Sequence, residues 1–302
     1  MVAPLRTPPG TPGPLPVAPT EEVWRTMSVA ARERFQIEVN DALSAVDPQR
    51  TMGEGRPHKK AKSRAVDMLG LHFKAMGRVI YLAEEMTVIY PGAEVFSPDV
   101  LAVLDVEQPE DDERLSWVVV DEGKGLDLVL EVLHRGDRKK DLVDNVERYA
   151  SLGIAEYFIY DRGKQQIYGY RLAGPGARSY QRIVPQAGRY PSAVLGLDLV
   201  LQQGSLRFYL GMAELIGSGE LIDRLTGMVE SLETKAEQAE AKVDQAVAST
   251  RENLLAILAA RGIADASDAR DRVMDCDDLA VLQGWLVRAL SVSSARELFV
   301  AP

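Results

Sequence analysis

The sequence predicts an α/β fold in which a mixed β-sheet is flanked by helices and is followed by a coiled-coil helix and a small helical unit. The first observation is the order strand, basic turn, helix, strand between residues 126 and 161, which is typical of a sheet with helices packed against it. The second is a run of apolar residues after Gly219 at alternating steps of three and four, the spacing of a heptad repeat.

The first 27 residues predict a disordered leader. Residues 1–20 contain seven of the sixteen prolines and almost no charge, so they cannot form a helix and have little to bury. Helices are expected at 28–46 and 61–76, with a loop at 47–58 between them. Ser28 can act as the N-cap of the first helix, and Gly77 ends the second.

Short apolar runs predict the strands of a domain that spans residues 28–215. They are expected at 79–82, 86–90, 100–104, 126–133, 156–160 and 165–172, with 117–120 as an edge strand or the start of a hairpin. A helix at 139–152, with Tyr149 on its apolar face as a core residue, connects the central strand to the next. This crossover is right-handed if the two strands are parallel. Asp161-Arg162-Gly163 is a hairpin signal. We expect the domain to close with a strand at 195–201 and a helix near 206–215.

Residues 216–250 predict a coiled-coil helix. The a and d positions are Ile222, Leu225, Val229, Leu232, Ala236, Ala239, Val243 and Ala246. We expect a homo-oligomer, a dimer, through residues 222–246; the alternative is one amphipathic helix that folds back onto the preceding domain. Residues 251–302 predict a small helical unit that could dock a separate protein partner. Its helices are expected at 252–261, 268–276, 279–290 and 294–299.

Composition excludes several kinds of site. The single cysteine, Cys276, excludes an internal disulfide and a cysteine-rich zinc cluster. The three histidines are not spaced as the ligands of a zinc site are. No apolar run approaches the roughly 18 residues of a membrane span, and no secretory signal is recognisable, so we expect a cytoplasmic protein. The net charge of −10 argues against binding nucleic acid over the whole surface but permits a local basic cleft.

Two carboxylates in neighbouring strands predict a site for a divalent metal ion. Asp99 follows Pro98 at the head of one strand, and Glu131 lies in the otherwise apolar central strand. A carboxylate in an apolar strand is costly to bury unless a cation meets it. We expect Asp99 and Glu131 to bind Mg²⁺ or Mn²⁺, with the carbonyl of Val132 as a third ligand; alternatively, Asp99 caps a turn and Glu131 pairs with an arginine. Asp127 lies about 13 Å from Glu131 along the strand, too far to share one ion.

The sequence contains two basic clusters, one at 135–140 and one just after His58 with Lys59, Lys60, Lys62 and Arg64. In the cluster at 135–140, basic side chains at a helix start oppose the helix dipole, so a nearby anion, DNA phosphate or the carboxylate pair, would explain them. Lys139 and Lys140 are candidates for the catalytic cation. The candidates for contacts with DNA phosphates are Lys59, Lys60, Arg135 and Arg138. In both clusters the alternative is the solvated start of a helix.

The combined motifs PD, LDLVLEVL, RKKDL and YASLGIAEYFIYD resemble the Uma-two family of restriction-endonuclease-like proteins, in the PD-(D/E)XK nuclease superfamily. The matching residues are Pro98, Asp99, Glu131, Val132, Leu133, Arg138, Asp141, Leu142, Tyr149, Gly153, Glu156, Tyr157 and Asp161. The resemblance covers residues 30–210. It implies a restriction-endonuclease-like core and Mg²⁺-dependent hydrolysis of DNA.

The sequence departs from this family at the catalytic lysine. The superfamily places a lysine two residues after the acid, where this chain has Leu133, and the family places it on the next helix, where this chain has Asn145. His58 resembles the family's histidine before its first helix, and we expect His58 and Asn145 to support the ligands. The leading hypothesis is a metal-dependent DNA endonuclease. The alternative is an inactive nuclease-fold scaffold that oligomerises through its C-terminal helices.

Overall fold

The computed structural model describes residues 15–46, 56–106, 112–133, 139–263 and 266–300. The chain divides into two units, residues 1–220 and 221–302. The first unit contains α1 (Glu21–Thr26), α2 (Val29–Val46), α3 (Arg56–Ala75), β1 (Ile80–Glu84), β2 (Thr87–Ile89), β3 (Val100–Leu104), β4 (Ser116–Val118), α4 (Val119–Glu122), β5 (Leu128–Leu133), a π-helical turn (Lys140–Asp144), α5 (Asn145–Leu152), β6 (Glu156–Asp161), β7 (Gln166–Leu172), β8 (Tyr180–Arg182), β9 (Arg189–Ser192), β10 (Leu197–Gln202), β11 (Ser205–Leu210) and β12 (Ala213–Glu214).

A six-stranded mixed sheet in the order β1-β3-β5-β6-β7-β8 forms the centre of the first unit. Strands β5 and β6 are parallel, and the other neighbouring strands are antiparallel. Every residue of β3, β5 and β6 is buried because both faces of the sheet are covered. The α/β fold predicted from the sequence is confirmed, with β5 at the centre.

Helix α3 covers one face of the sheet. Its buried residues are Lys62, Ala65, Met68, Leu69 and Phe73, which recur at helical spacing. The helix begins at Arg56, five residues earlier than the predicted start at 61, so His58 lies inside it and not before it. Pro57 looks like a loop residue in the sequence, but a proline in the first turn removes only an N–H that has no helical partner.

The prediction of a disordered leader is wrong for residues 15–27. The Ala18 N–H donates to the carbonyl of Ala93 at 2.8 Å, and Thr20 caps α1. The Trp24 ring is buried, and its Nε1–H donates to Asp121 Oδ1 at 2.9 Å. A buried tryptophan and backbone pairing therefore outweigh the proline content. Residues 1–14 lie outside the described residues.

The helix expected near 206–215 is also wrong, because this stretch forms β11 and β12. Strand β11 pairs with β10 through a turn in which Gln203 and Gly204 both have positive φ, 48° and 71°, as tight hairpin turns require. Leu206 and Phe208 alternate into the core, which is a strand period.

In a separate two-stranded sheet, β4 pairs in parallel with β2.

The second unit is helical. Its helices are α6 (Ser218–Ala260), which begins three residues before the unit, α7 (Ala266–Met274), α8 (Leu279–Arg288) and α9 (Ala295–Leu298). The separate helix predicted at 252–261 is instead the last part of α6, where Leu254 and Leu258 pack with Val273 and Leu282. Within the described chain, no helix combines the length and apolar character needed to cross a membrane.

Candidate active site

The structure brings Asp99 and Glu131 together at the end of two adjacent strands. The antiparallel register of β3 and β5 sets Val100 opposite Leu130, so the next residues outward, 99 and 131, are neighbours. The Asp99 N–H donates to Glu131 Oε2 at 3.2 Å, and the Val132 N–H donates to Asp99 Oδ2 at 2.7 Å. Each carboxylate is therefore fixed by the backbone of the other's strand.

Tyr149 of α5 fixes the second oxygen of Glu131. Its hydroxyl donates to Glu131 Oε1 at 2.9 Å. The sequence predicted Tyr149 as a core residue, and the ring is buried, but its hydroxyl also belongs to the site. Among the residues that the structure describes, Glu131 accepts hydrogen bonds from the Asp99 N–H and the Tyr149 hydroxyl, and no arginine pairs with it.

Helix α3 brings two basic side chains to Asp99. The Nε2 atom of His58 lies 3.4 Å from both Asp99 carboxyl oxygens. One turn further along α3, the Lys62 Nζ lies 3.6 Å from Asp99 Oδ1 and also pairs with Glu85. The N–H of Glu85 donates to the Pro98 carbonyl at 3.1 Å, so Lys62 connects the turn after β1 to the carboxylate before β3.

Lys62 is the site residue that the sequence analysis missed. In the sequence it lies among the basic residues at the helix start, yet its side chain is only 1% exposed. The signal was present, because Lys62 lies three, seven and eleven residues before Ala65, Leu69 and Phe73, on the apolar stripe of α3. A lysine on a buried stripe needs a carboxylate to pair with it.

The two carboxyl groups differ in their proton affinity. Burial alone would raise the pKa of Asp99, but the hydrogen bond and charge of His58, the Val132 amide and the charge of Lys62 together lower that pKa. Burial, with the charges of Asp99 and Asp141, raises the pKa of Glu131 well above its ordinary value. Asp99 is therefore the more acidic member of the pair, and Glu131 keeps its proton to higher pH than Asp99 does.

The π-helical turn brings Asp141 towards this pair. Asn145, in the position of the family's lysine, is buried and donates to Asp141 Oδ1 at 3.1 Å, and the Tyr157 hydroxyl donates to the Asp141 carbonyl at 3.0 Å. A single π-helical turn within an α-helix is frequent at functional sites. Here it places a third acidic residue within electrostatic range of Glu131.

The predicted lysines occupy the rim. Lys139 and Lys140 are exposed; the Lys139 Nζ pairs with Asp144 at 3.2 Å, whereas the charge of Lys140 lowers the pKa of Glu131 against the effect of burial. Lys59 and Lys60 are exposed on the first turns of α3, beside His58. Arg135 and Arg138, predicted to contact phosphates, lie outside the described residues.

The Uma2 family model, whose description reads "Putative restriction endonuclease", matches residues 47–204, just over half of the chain. This chain belongs to the Uma2 family. The resemblance identified from the sequence is thereby confirmed, and the match contains the residues of the site. A crystal structure from Anabaena variabilis, described as "a putative nuclease belonging to DUF820", is 15% identical, with a TM-score of 0.36, and the match covers 46% of this chain and 73% of that chain. No curated protein matches the chain.

Two further carboxylates that match the Uma2 pattern, Glu156 and Asp161, have structural partners away from the Asp99–Glu131 pair. Glu156 is buried and accepts hydrogen bonds from the Ser192 hydroxyl and from the Ala193 N–H at 2.8 Å, so it holds the turn after β9. Asp161 accepts a hydrogen bond from the Lys164 N–H at 2.9 Å in the β6–β7 turn.

Asp127 also has a structural role in this Uma2 chain. Its Oδ2 accepts a hydrogen bond from the Leu104 N–H at 2.7 Å and pairs with Lys124 at 2.9 Å. These partners lie at the opposite end of β3 from Asp99, as expected from the distance along the strand.

The donor set of the Uma2 site suits a hard divalent cation. In the described part of the chain, no group of three or more His, Cys, Asp or Glu side chains is arranged to hold a metal ion. A two-carboxylate site is nevertheless the usual kind for Mg²⁺, which keeps several waters and binds one or two carboxylates. Val132 reaches Asp99 through its N–H, and the use of its carbonyl as a ligand stays a prediction.

Proposed function

We propose that this Uma2 protein is a Mg²⁺- or Mn²⁺-dependent endonuclease that hydrolyses DNA phosphodiester bonds, with Asp99 and Glu131 as the metal ligands. The observation that supports this proposal most directly is the pair of carboxylates, Glu131 buried and Asp99 partly buried, fixed against two adjacent strands. Two acidic groups brought together in a protein interior destabilise it unless positive charge meets them. Membership of a family whose description reads "Putative restriction endonuclease" fits this chemistry.

The residues around the pair have separable tasks. A divalent ion, when bound, neutralises the charge that develops on the attacking water and on the leaving oxygen of a phosphodiester. His58 and the Val132 amide orient Asp99, and Tyr149 orients Glu131. The family's catalytic lysine lies on the helix after the central strand, where this chain has Asn145. We assign the role of that cation to Lys62 of α3. Because Lys62 is buried against Asp99 and Glu85, it acts by holding Asp99 ionised and in place.

The proposed path of the DNA backbone runs along the basic rim. Lys59 and Lys60 at the start of α3 and Lys140 beside Glu131 are exposed and cationic, and we propose that Arg135 and Arg138 join them. Such contacts release counterions, so DNA binding should weaken steeply as salt is raised. The local basic rim reconciles DNA binding with a net charge of −10.

The test is cleavage of supercoiled plasmid with Mg²⁺ or Mn²⁺ by the wild type, Asp99→Asn and Glu131→Gln. We expect both variants to lose at least about 100-fold in rate, as is usual when a group that stabilises transition-state charge is removed. Asp105→Asn is the matched control, because Asp105 is an exposed carboxylate at the other end of β3 that pairs with Arg78. Calorimetry should show Mn²⁺ binding that is lost in the two site variants and kept in the control. Equal nicking by all four proteins would refute the proposal.

A second candidate function is a catalytically inactive scaffold. The observation that favours it is Asn145, an uncharged buried residue where the family has its lysine. On this hypothesis the wild type neither cuts DNA nor binds Mn²⁺ at millimolar concentration. If the wild type binds Mn²⁺ without cutting and Asn145→Lys restores cutting, the protein is a damaged nuclease and not a scaffold.

A further inference from the structure

The first part of α6 presents an apolar stripe that nothing in the described chain covers. Every residue from 221 to 245 is exposed, although the later part of α6 packs against α7, α8 and α9. The exposed fractions of the large apolar residues at a and d positions are 60% for Ile222, 51% for Leu225, 53% for Val229, 62% for Leu232 and 53% for Val243. A long helix gains most of its stability by packing such a stripe, so this stripe requires a partner.

We infer that the partner is a second copy of this chain and that the two α6 helices form a parallel, in-register, two-stranded coiled coil over residues 222–246. The a positions carry β-branched Ile222, Val229 and Val243, and the d positions include Leu225 and Leu232. In parallel coiled coils, β-branched residues at a with leucine at d favour two strands over three or four.

The charges beside the stripe select the parallel orientation. The e positions 233 and 240 are both glutamate, and the g positions 235 and 242 are both lysine. In a parallel pair, g of one helix meets e of the next heptad of its partner, so Lys235 of each copy faces Glu240 of the other. In an antiparallel pair, g meets g and e meets e, which would set lysine against lysine and glutamate against glutamate. The same sequence therefore attracts its copy in one orientation and repels it in the other.

The first experiment measures the oligomeric state of the full chain by sedimentation equilibrium. We expect a dimer for the wild type and a monomer with an unchanged circular dichroism melting temperature of the nuclease unit for Leu225→Asn/Leu232→Asn. Ala241→Asn is the matched control, since it introduces the same residue at an exposed f position outside the stripe, and it should remain a dimer. A wild-type monomer, a trimer or tetramer, a complex with another protein, or a Leu225→Asn/Leu232→Asn variant that remains a dimer would each overturn the inference.

The second experiment tests orientation. In a Cys276→Ser background, Val229→Cys should form a disulfide between copies under mild oxidation, because residue 229 faces its own counterpart only in the parallel register. Lys235→Glu should raise the dimer dissociation constant about tenfold, since two attractive pairs become repulsive, and Lys235→Glu/Glu240→Lys should restore it. A dimer that forms no disulfide, or one that the double exchange fails to restore, would contradict the parallel arrangement.

Discussion

Lys62 shows how a single buried charge organises the candidate site. Its ammonium lies in the interior between Glu85 and Asp99, and a buried ion is tolerated only when its partners compensate its lost hydration. Since Glu85 belongs to the turn after β1 and Asp99 precedes β3, Lys62 fixes two loops at once. The side chain therefore contributes to the shape of the site as well as to its charge.

We predict that Lys62→Met lowers the free energy of unfolding by about 2 kcal/mol, because the partly buried Asp99 loses a cationic partner, whereas Glu85, which is 44% exposed, stays hydrated. Urea denaturation would measure this loss. Lys59→Met, an exposed change three residues earlier on the same helix, should alter stability by less than about 0.5 kcal/mol. Millimolar Mg²⁺ should raise the melting temperature of Lys62→Met more than that of the wild type, because the ion then replaces the missing positive charge. Equal shifts in both proteins would argue against a metal ion beside Lys62.

The sequence was sufficient to predict that Asp99 and Glu131 meet, because carboxylates in apolar strands are conspicuous and neighbouring strands bring their ends together. It was not sufficient to identify Lys62 as a site residue. Lys62 lies among exposed basic residues in the sequence and differs from them only in its position on the apolar stripe of α3. The same limit applies to Tyr149: burial of its ring follows from the helix pattern, whereas the direction of its hydroxyl depends on tertiary packing.

At the scale of single elements, β7 contains a glycine that the packing of the sheet requires. A Cβ built on Gly169 would lie 2.9 Å from Phe158 Cε1 and 3.2 Å from two side-chain atoms of Ile183. Phe158 is fully buried, and because protein interiors are close-packed, moving its ring would displace its neighbours. The main-chain carbonyl of Gly169 also accepts a hydrogen bond from the Ile183 N–H at 2.8 Å, which keeps the two segments in contact.

We predict that Gly169→Ala lowers the free energy of unfolding by about 2 kcal/mol, as overpacking of a filled core does. Gly174→Ala is the control, because nothing lies within 4 Å of a Cβ at that position, and it should cause no loss of stability. Urea denaturation of both variants provides the measurement. If both variants unfold at the same denaturant concentration, close packing at Gly169 is not what excludes a side chain.

The elements that the sequence mispredicted share a physical cause. Apolar residues at 206–215 fit both a helix and a strand when counted over so short a run, and the positive φ angles of Gln203 and Gly204 settle the choice in favour of a hairpin. The prolines of the first 20 residues indicate disorder, but Trp24 is buried at a position that only the assembled fold provides. In both places tertiary contacts, which local pattern does not contain, determine the structure.

At the scale of the whole molecule, α6 joins two units with different chemistry. The first contains the carboxylate pair, and the second forms its own apolar core around Leu254 and Leu282. Because each copy contains one carboxylate pair, the proposed dimer holds two proposed active sites, one for each strand of a duplex.

We predict that the wild type linearises supercoiled plasmid within one binding event, whereas Leu225→Asn/Leu232→Asn accumulates nicked circles before any linear DNA forms. The reason is that a monomer has one site and must bind twice to cut both strands, while a dimer carries two. Gel electrophoresis of early time points separates the three plasmid forms, and Ala241→Asn should behave like the wild type. This outcome is expected only if the nuclease proposal and the dimer proposal are both correct. If the dimer is intact but DNA is not cut, the nuclease assignment fails; if monomer and dimer both cut and yield the same ratio of linear to nicked product, the two sites do not act together.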